Sequence, residues 1–238
     1  MKCSMITVGP KIVLVYIYPM NGHQGFSTKA LEFSQSYERN PPGMNHETLI
    51  VCNGAPATQP SKDLFNALPN VSFIDHDNSG WDIGAFQLAA RVTPCDLMVF
   101  FSSHTYFRKP GWLVRMWETY LALGDTLYGS TGNQGDLRVN VHPHIRTTGF
   151  WCSPNLINEH PYRVSQTGGG GQRYEFEHGA SCLTNFVKQT GRVPWIVGWN
   201  DIKSVDECNS MANTFHQGNQ DNVLVGDRLT CPPYYHTP

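Results

Sequence analysis

The first half of the chain alternates between short β-branched or aromatic runs and amphipathic stretches, and this rhythm constrains the fold more than any single motif. Four runs read as strands: "KIVLVYIY" (11–18), "TLIVCNG" (48–54), "VSFID" (71–75) and "DLMVFF" (96–101). Between and after them lie helical segments. "STKALEFSQSYERN" (27–40) has Ser27 as its expected N-cap and "PPG" as its stop. "SKDLFNAL" (61–68) is shorter. "WDIGAFQLAA" (81–90) places Ile83, Phe86, Ala89 and Ala90 on one face. "PGWLVRMWETYLALG" (110–124) lines Trp112, Leu113, Met116, Trp117, Tyr120 and Leu121 along one stripe. Strands joined through helices require right-handed crossovers, so the expectation is an α/β chain with a mostly parallel sheet covered on both faces.

Past "TLYGSTGN" the rhythm breaks. "RVNVHPHIRTTGFWCS" (138–153) alternates and reads as strand, "GASCLTNFVKQTG" as a helix closed by Gly191, and "VPWIV" as a further strand. Four consecutive glycines, 168–171, suit a mobile loop. With no repeat and no linker, the 238 residues are expected to form one domain.

Composition narrows the partners. Charged residues make up 15% and the formal charge is −2, with no basic run, which argues against a nucleic-acid groove. The longest apolar run, Ile12–Tyr18, is far too short to span a bilayer. The seven cysteines are odd in number, scattered, and without C-x-x-C spacing. They predict reduced, mostly buried thiols and a cytoplasmic setting.

In a parallel sheet, ligands gather at the carboxyl ends of the strands. Those ends carry "YPMNG", "CNG", "DHDNSGWD" and "SSHT", all polar and rich in turn formers. Asp96 lies at the opposite end of its strand and is expected to be a turn or cap residue.

Three segments carry a family resemblance. "DNSGWDIGAF" resembles an N-x-G-x-D-x-G stretch through Asn78, Gly80, Asp82 and Gly84; "CDLMVFFSSHTYFRKPGWL" resembles a strand that ends in a D-x-D motif; and "YEFEHGASCLTNFVKQTG" resembles an acidic pair at a helix start. In that order they resemble GT-A-fold glycosyltransferases, most closely the rhamnan-synthesis-type and family-2-like enzymes. The resemblance implies a GT-A-like single domain over 1–238: a Rossmann-like nucleotide-sugar-binding half (1–135) and an irregular acceptor-binding half (136–238). It further implies transfer of a hexosyl or deoxyhexosyl group from a nucleoside-diphosphate sugar to a glycan, as in polysaccharide biosynthesis. A catalytically silent nucleotide- or glycan-binding protein of the same fold is the alternative.

The residues divide accordingly. Asn78, Gly80 and Asp82 are expected at the nucleotide, although Asp82 equally suits a first-turn carboxylate favoured by the helix dipole. Ser102, Ser103 and His104 stand where the family keeps its metal-binding aspartates. Hydroxyls and an imidazole hold Mg²⁺ poorly, whereas Mn²⁺ accepts histidine. The chain is therefore expected either to need no metal or to use His104 as a Mn²⁺ ligand. Arg108 and Lys109 could offset diphosphate charge instead. Glu177, with Glu175 as the second choice, is the expected base, and both would share one side if the stretch were extended. His144 and Arg146 would face the diphosphate or the acceptor. His216, Asp221, Asp227 and Arg228 could close the site from the C-terminal side. Trp81, Tyr106, Trp151 and Trp199 are the aromatics nearest these segments.

Overall fold

The computed structural model describes residues 9–20, 25–165, 171–210 and 221–227. His216, Arg228 and three of the four glycines, 168–170, lie outside them. The four expected strands are present as β1 (Ile12–Pro19), β2 (Glu47–Asn53), β3 (Val71–His76) and β4 (Leu97–Phe101). They pair in parallel in the order β3-β2-β1-β4. The crossovers run through α1 (Gly25–Arg39), α2 (Gln59–Asp63) and α3 (Trp81–Val92). Between β1 and β4 the order reverses, which opens a crevice at the strands' carboxyl ends.

Strand β1 shows why the sheet is covered on both faces. Its residues from Ile12 to Ile17 are almost wholly buried, yet they alternate between two cores. Val13, Val15 and Ile17 pack with Ile83 and Phe86 of α3. Leu14 and Tyr16 pack with Phe33 of α1 and with Trp112 and Met116 of α4 (Trp112–Leu123). Side chains of a strand alternate faces, so a continuous apolar run is the pattern of a strand buried on both sides.

Beyond α4 the chain adds shorter strands. They are β5 (Tyr106–Phe107), just before α4, then β6 (Tyr128–Gly129), β7 (Gly132–Asn133), β8 (His144–Ile145) and β9 (Gly149–Cys152). Three helices follow: α5 (Pro154–Glu159), α6 (Gly171–His178) and α7 (Leu183–Gln189). The last strands are β10 (Trp195–Val197), β11 (Ile202–Ser204) and β12 (Val225–Gly226). The main sheet reads β11-β10-β6-β9-β4-β1-β2-β3. β9 lies antiparallel to β4, with Gly149 opposite Phe101 and Cys152 opposite Met98. The start of β9 therefore meets the end of β4.

Several boundaries differ from expectation. Helix α1 begins at Gly25, so Ser27 lies inside it, with its Oγ 3.1 Å from the Tyr18 hydroxyl. Helix α2 starts earlier because Thr58 and Ser61 form a reciprocal capping box. On α4, Leu121 is exposed and Thr119 is buried instead, its Oγ1 donating to the Arg115 carbonyl at 2.6 Å. The stretch 138–153 is no continuous strand. Asn140 adopts φ 55° and Pro143 cannot donate to a ladder, so only β8 and β9 form. "EFEH" is the last turn of α6 rather than extended chain, so Glu175 and Glu177 point to different sides. Asp96 lies just before β4, away from the strands' carboxyl ends, and its Oδ2 accepts from the Lys11 amide at 2.8 Å. Cys52, Cys152 and Cys182 are buried free thiols and Cys95 is half-buried. Among the described residues no helix is long and apolar enough to cross a membrane.

Candidate functional site

At the crevice lies a cleft of about 580 Å³. Ile17 and Pro19 come from the end of β1, Asn53 from β2, and Asn78, Trp81 and Asp82 from the passage between β3 and α3. Ser102, Ser103 and His104 follow β4. Arg146 and Thr148 precede β9, while Arg173 comes from α6, Asp227 from the segment after β12, and Phe26 from α1. Residues from both expected halves of the chain line the same cavity.

The β3–α3 passage has its shape because of two glycines. Gly80 sits at φ 71°, and a Cβ there would stand 2.4 Å from the Val164 carbonyl oxygen. At Gly84 a Cβ would stand 1.9 Å from the Ser79 carbonyl oxygen. The loop thus folds back onto the first turn of its own helix, and only glycine leaves room. Gln87 holds the other wall: its Nε2 donates to the Tyr162 carbonyl at 2.9 Å and its Oε1 accepts from the Val164 amide at 3.1 Å. Asn53 Oδ1 lies 2.7 Å from His76 Nδ1, which joins the ends of β2 and β3.

At the end of β4 the buried Tyr16 hydroxyl donates to the Ser103 carbonyl at 2.9 Å, and Ser103 Oγ lies 3.1 Å from His104 Nδ1. The His104 ring meets Phe26 edge-on, with centroids 6.0 Å apart. Across the cleft the buried Arg146 pairs with the buried Asp227 at 3.1 Å.

Asp82 is a strongly perturbed carboxyl. Its Oδ1 is shielded from water and has no hydrogen-bond partner among the described residues. Burial, with the Glu177 charge adding to it, pushes its pKa up to about 6, and Arg173 pulls the other way. Glu177 lies behind the lining. Its Oε1 accepts from Thr147 Oγ1 at 2.5 Å and its Oε2 lies 3.6 Å from Arg173 Nε. The Arg173 guanidinium lies over the Trp81 ring, 4.7 Å from its centroid.

Three solved structures illustrate what the chain is similar to. A galactosyltransferase, LgtC, in complex with donor and acceptor sugar analogues aligns at 14% identity and TM-score 0.42, over 60% of this chain and 58% of its own. The mannosyltransferase PcManGT from Pyrobaculum calidifontis, in complex with GDP-Man and Mn²⁺, aligns at 13% identity and TM-score 0.47, over 64% of this chain and 47% of its own. Mouse xyloside xylosyltransferase 1, in its apo form, aligns at 8% identity and TM-score 0.47, over 77% and 82%. The chain thus spans a little over half of the first and under half of the second. No family model matches the chain, and no curated protein matches it.

Of the residues singled out in sequence, Asn78, Asp82, Ser102, Ser103, His104 and Arg146 line the cleft, and Gly80 shapes its wall. Asp227 lines it too. His144 is buried beside it, its Nδ1 donating to the His142 carbonyl at 2.6 Å and its ring against His178. Burial lowers its pKa to about 4, so it is a neutral packing group. Glu175 serves the turn after α6, accepting from the Ser181 amide at 2.6 Å. Arg108 and Lys109 reach Asp221 rather than the cleft, at 3.5 Å to its carboxylate and 3.0 Å to its carbonyl. Trp151 is buried in the core, and Trp199 donates to the Val223 carbonyl. Sequence reasoning missed Arg173. Its i,i+4 spacing to Glu177 becomes visible only once that stretch is read as helix.

Among the described residues no three His, Cys, Asp or Glu side chains converge so as to hold a metal. The one carboxylate brought in from the C-terminal side, Asp227, is held by Arg146. Mg²⁺ and Mn²⁺ are commonly held by one or two carboxylates together with substrate phosphates, and the carboxylates lining the cleft are Asp82 and Asp227.

Proposed function

We propose that the protein is a glycosyltransferase of GT-A type, which moves a hexosyl or deoxyhexosyl group from a nucleoside-diphosphate sugar to a hydroxyl of a glycan. The observation that carries this reading is the cleft itself. It opens where the parallel strands reverse order, and its lining brings together two guanidinium groups, an imidazole and a half-buried carboxylate, Asp82, whose Oδ1 has no hydrogen-bond partner among the described residues. In this reading Pro19, Asn53, Asn78, Ser102 and Ser103 hold the nucleotide. Arg146, Arg173 and His104 offset the diphosphate charge that develops as it leaves. No metal is needed for that. A Mn²⁺ ion held through His104 is the competing version, and no step below passes through one.

The transfer is inverting. The acceptor oxygen bonds to the anomeric carbon as the bond from that carbon to the diphosphate oxygen breaks, and a carboxylate takes the acceptor's proton. Sequence reasoning assigns the proton to Glu177. The cleft favours Asp82 for it, since Asp82 lines the cavity. Both Glu177 oxygens already face partners, Thr147 and Arg173. A carboxyl near 6 is also a stronger base than an ordinary one. Glu177 then acts from behind, its charge raising the basicity of Asp82.

The hydroxyls and imidazole at the end of β4 favour one second reading, a silent nucleotide- or glycan-binding protein. A thermal-shift screen of nucleoside diphosphates and their sugars, with and without Mn²⁺, tests for binding. A ligand at about a hundred times its dissociation constant adds roughly 2.7 kcal/mol of stability. Release of free sugar from a bound donor then marks the transferase, and its absence marks the silent protein. If no nucleotide or nucleotide sugar shifts the transition, the reading is wrong.

A further inference from the structure

We infer that Trp81 is the platform on which the acceptor's sugar ring stacks, and that it decides which acceptors are used. This rests on the transferase reading and adds an assignment to it. Trp81 is the first residue of α3 and has φ 58°. Asn78 and Gly80 also have positive φ, at 69° and 71°. Asparagine and glycine enter that region at little cost, whereas a bulky aromatic pays about 1–2 kcal/mol. Such strain persists only where the surroundings impose it, and it gathers at ligand sites.

The strained backbone leaves the indole in the cleft and away from the core. Trp81 lines the cavity with 43% of its surface exposed, while Ile83, Gly84 and Ala85 beside it are buried. The Arg173 guanidinium covers part of the ring at 4.7 Å, fixing its orientation by a cation–π contact. The exposed remainder of the ring is an apolar plate. The Asp82 carboxylate and the Arg173 guanidinium line the same cleft and can pair with hydroxyls.

A pyranose presents that combination in complementary form, an apolar C–H face rimmed by hydroxyls. Position along the chain selects the acceptor sugar over the nucleobase. Asp82, the proposed base, lines the same cleft from the same first turn of α3, so a hydroxyl it deprotonates belongs to a sugar close to Trp81. Phe26, the other aromatic of the lining, stands with His104 at the end of β4.

Trp81→Ala and Trp81→Phe are compared with the wild type in three assays. The expectation for Trp81→Ala is a rise of tenfold or more in acceptor KM, well beyond any loss of nucleoside-diphosphate affinity that follows from releasing Arg173. Trp81→Phe should recover most of the loss. Without turnover, methyl glycosides of mannose, galactose and rhamnose are titrated up to about 100 mM, with indole fluorescence as the readout. At least one should perturb the wild type, and that response should vanish in Trp81→Phe. The inference fails if donor is bound and hydrolysed normally but acceptor KM is unchanged in Trp81→Ala. It fails equally if nucleoside-diphosphate affinity falls as much as acceptor KM rises, or if no glycoside perturbs the wild type. Loss of donor binding and hydrolysis in the wild type itself would instead refute the transferase reading beneath it.

Discussion

Replacing Asp82 by asparagine should make the protein more stable at neutral pH, which few substitutions at an acidic residue do. The carboxyl is shielded, has an oxygen without a hydrogen-bond partner among the described residues, and feels the charge of Glu177. These raise its pKa from an ordinary 3.8 to about 6. Each pH unit of displacement is worth about 1.4 kcal/mol. The ionised group therefore costs the native state about 3 kcal/mol, an upper figure because the cleft is open to water on one side. The sign follows from which state holds the proton more tightly. Native Asp82 keeps its proton at pH values where the unfolded chain has released it. Its contribution is thus most favourable below pH 3.8 and is lost as pH rises through 6. Asparagine keeps the shape and carries no charge, so it escapes the loss. Urea unfolding of wild type and Asp82→Asn between pH 4 and 8 measures this. The variant's advantage should be near zero at pH 4 and grow to about 2–3 kcal/mol by pH 7.5. Taking the difference between the two proteins cancels the buried histidines, whose stability effect runs the opposite way. An advantage that stays flat with pH, or a variant less stable at pH 7.5, would refute the reasoning. A transferase using Asp82 as base would lose about a hundred- to ten-thousandfold in turnover in the same variant.

Other outcomes follow from the same geometry. Gly84→Ala would normally strengthen a helix by roughly 0.5–1 kcal/mol. Here the Ser79 carbonyl stands in the way, and the variant should instead lose about 1–3 kcal/mol in a denaturation assay. It should bind nucleoside diphosphates more weakly as the loop carrying Asn78 shifts. Arg146→Ala takes from the buried Asp227 the ion pair with Arg146 and should cost about 3–5 kcal/mol, whereas removing both charges together should cost much less. His144, held near a pKa of 4 by burial, should show ring NMR signals of the neutral form down to about pH 5. Its contribution to stability should be present above pH 6.5 and fall away as the pH drops toward 4. A His144 titrating near 6.5 would contradict that.

What could be read in advance followed from how local each feature is. The parallel strands and α3 were legible because their apolar runs are long, well punctuated and buried on both sides. The stretch 138–153 was misread because alternation of side chains was weighed above Asn140 and Pro143, which break the ladder. Asp82 lines the cleft as its short, local N-x-G-x-D stretch suggests, whereas Arg146 was reached through an alternation that does not form a continuous strand. Arg173 could not, because its role depends on α6 being helical and on Trp81 lying beneath it. Nor could the engagement of Arg108 and Lys109 by Asp221, a partner more than a hundred positions away and invisible to any local pattern.

The antiparallel seating of β9 against β4 makes the cavity a clasp between distant parts of the chain. Pro19 at one wall and Asp227 at the other are separated by roughly 200 residues, and a ligand touching both ties them as a reversible cross-link would. The segment carrying Asp227 is held to the body by the β12–β5 ladder, the Arg146 ion pair, a bridge from Val223 to Gly198 and bonds to Trp199, Asn200, Asp201 and Lys109, with Val223, Leu224 and Val225 buried. Its ladder is only two residues long, so it is expected to open more readily than the four central strands. Occupancy of the cleft should therefore slow amide exchange most at Val225 and Gly226. The four central strands, whose exchange already requires the whole molecule to come apart, should gain only what the ligand adds to overall stability.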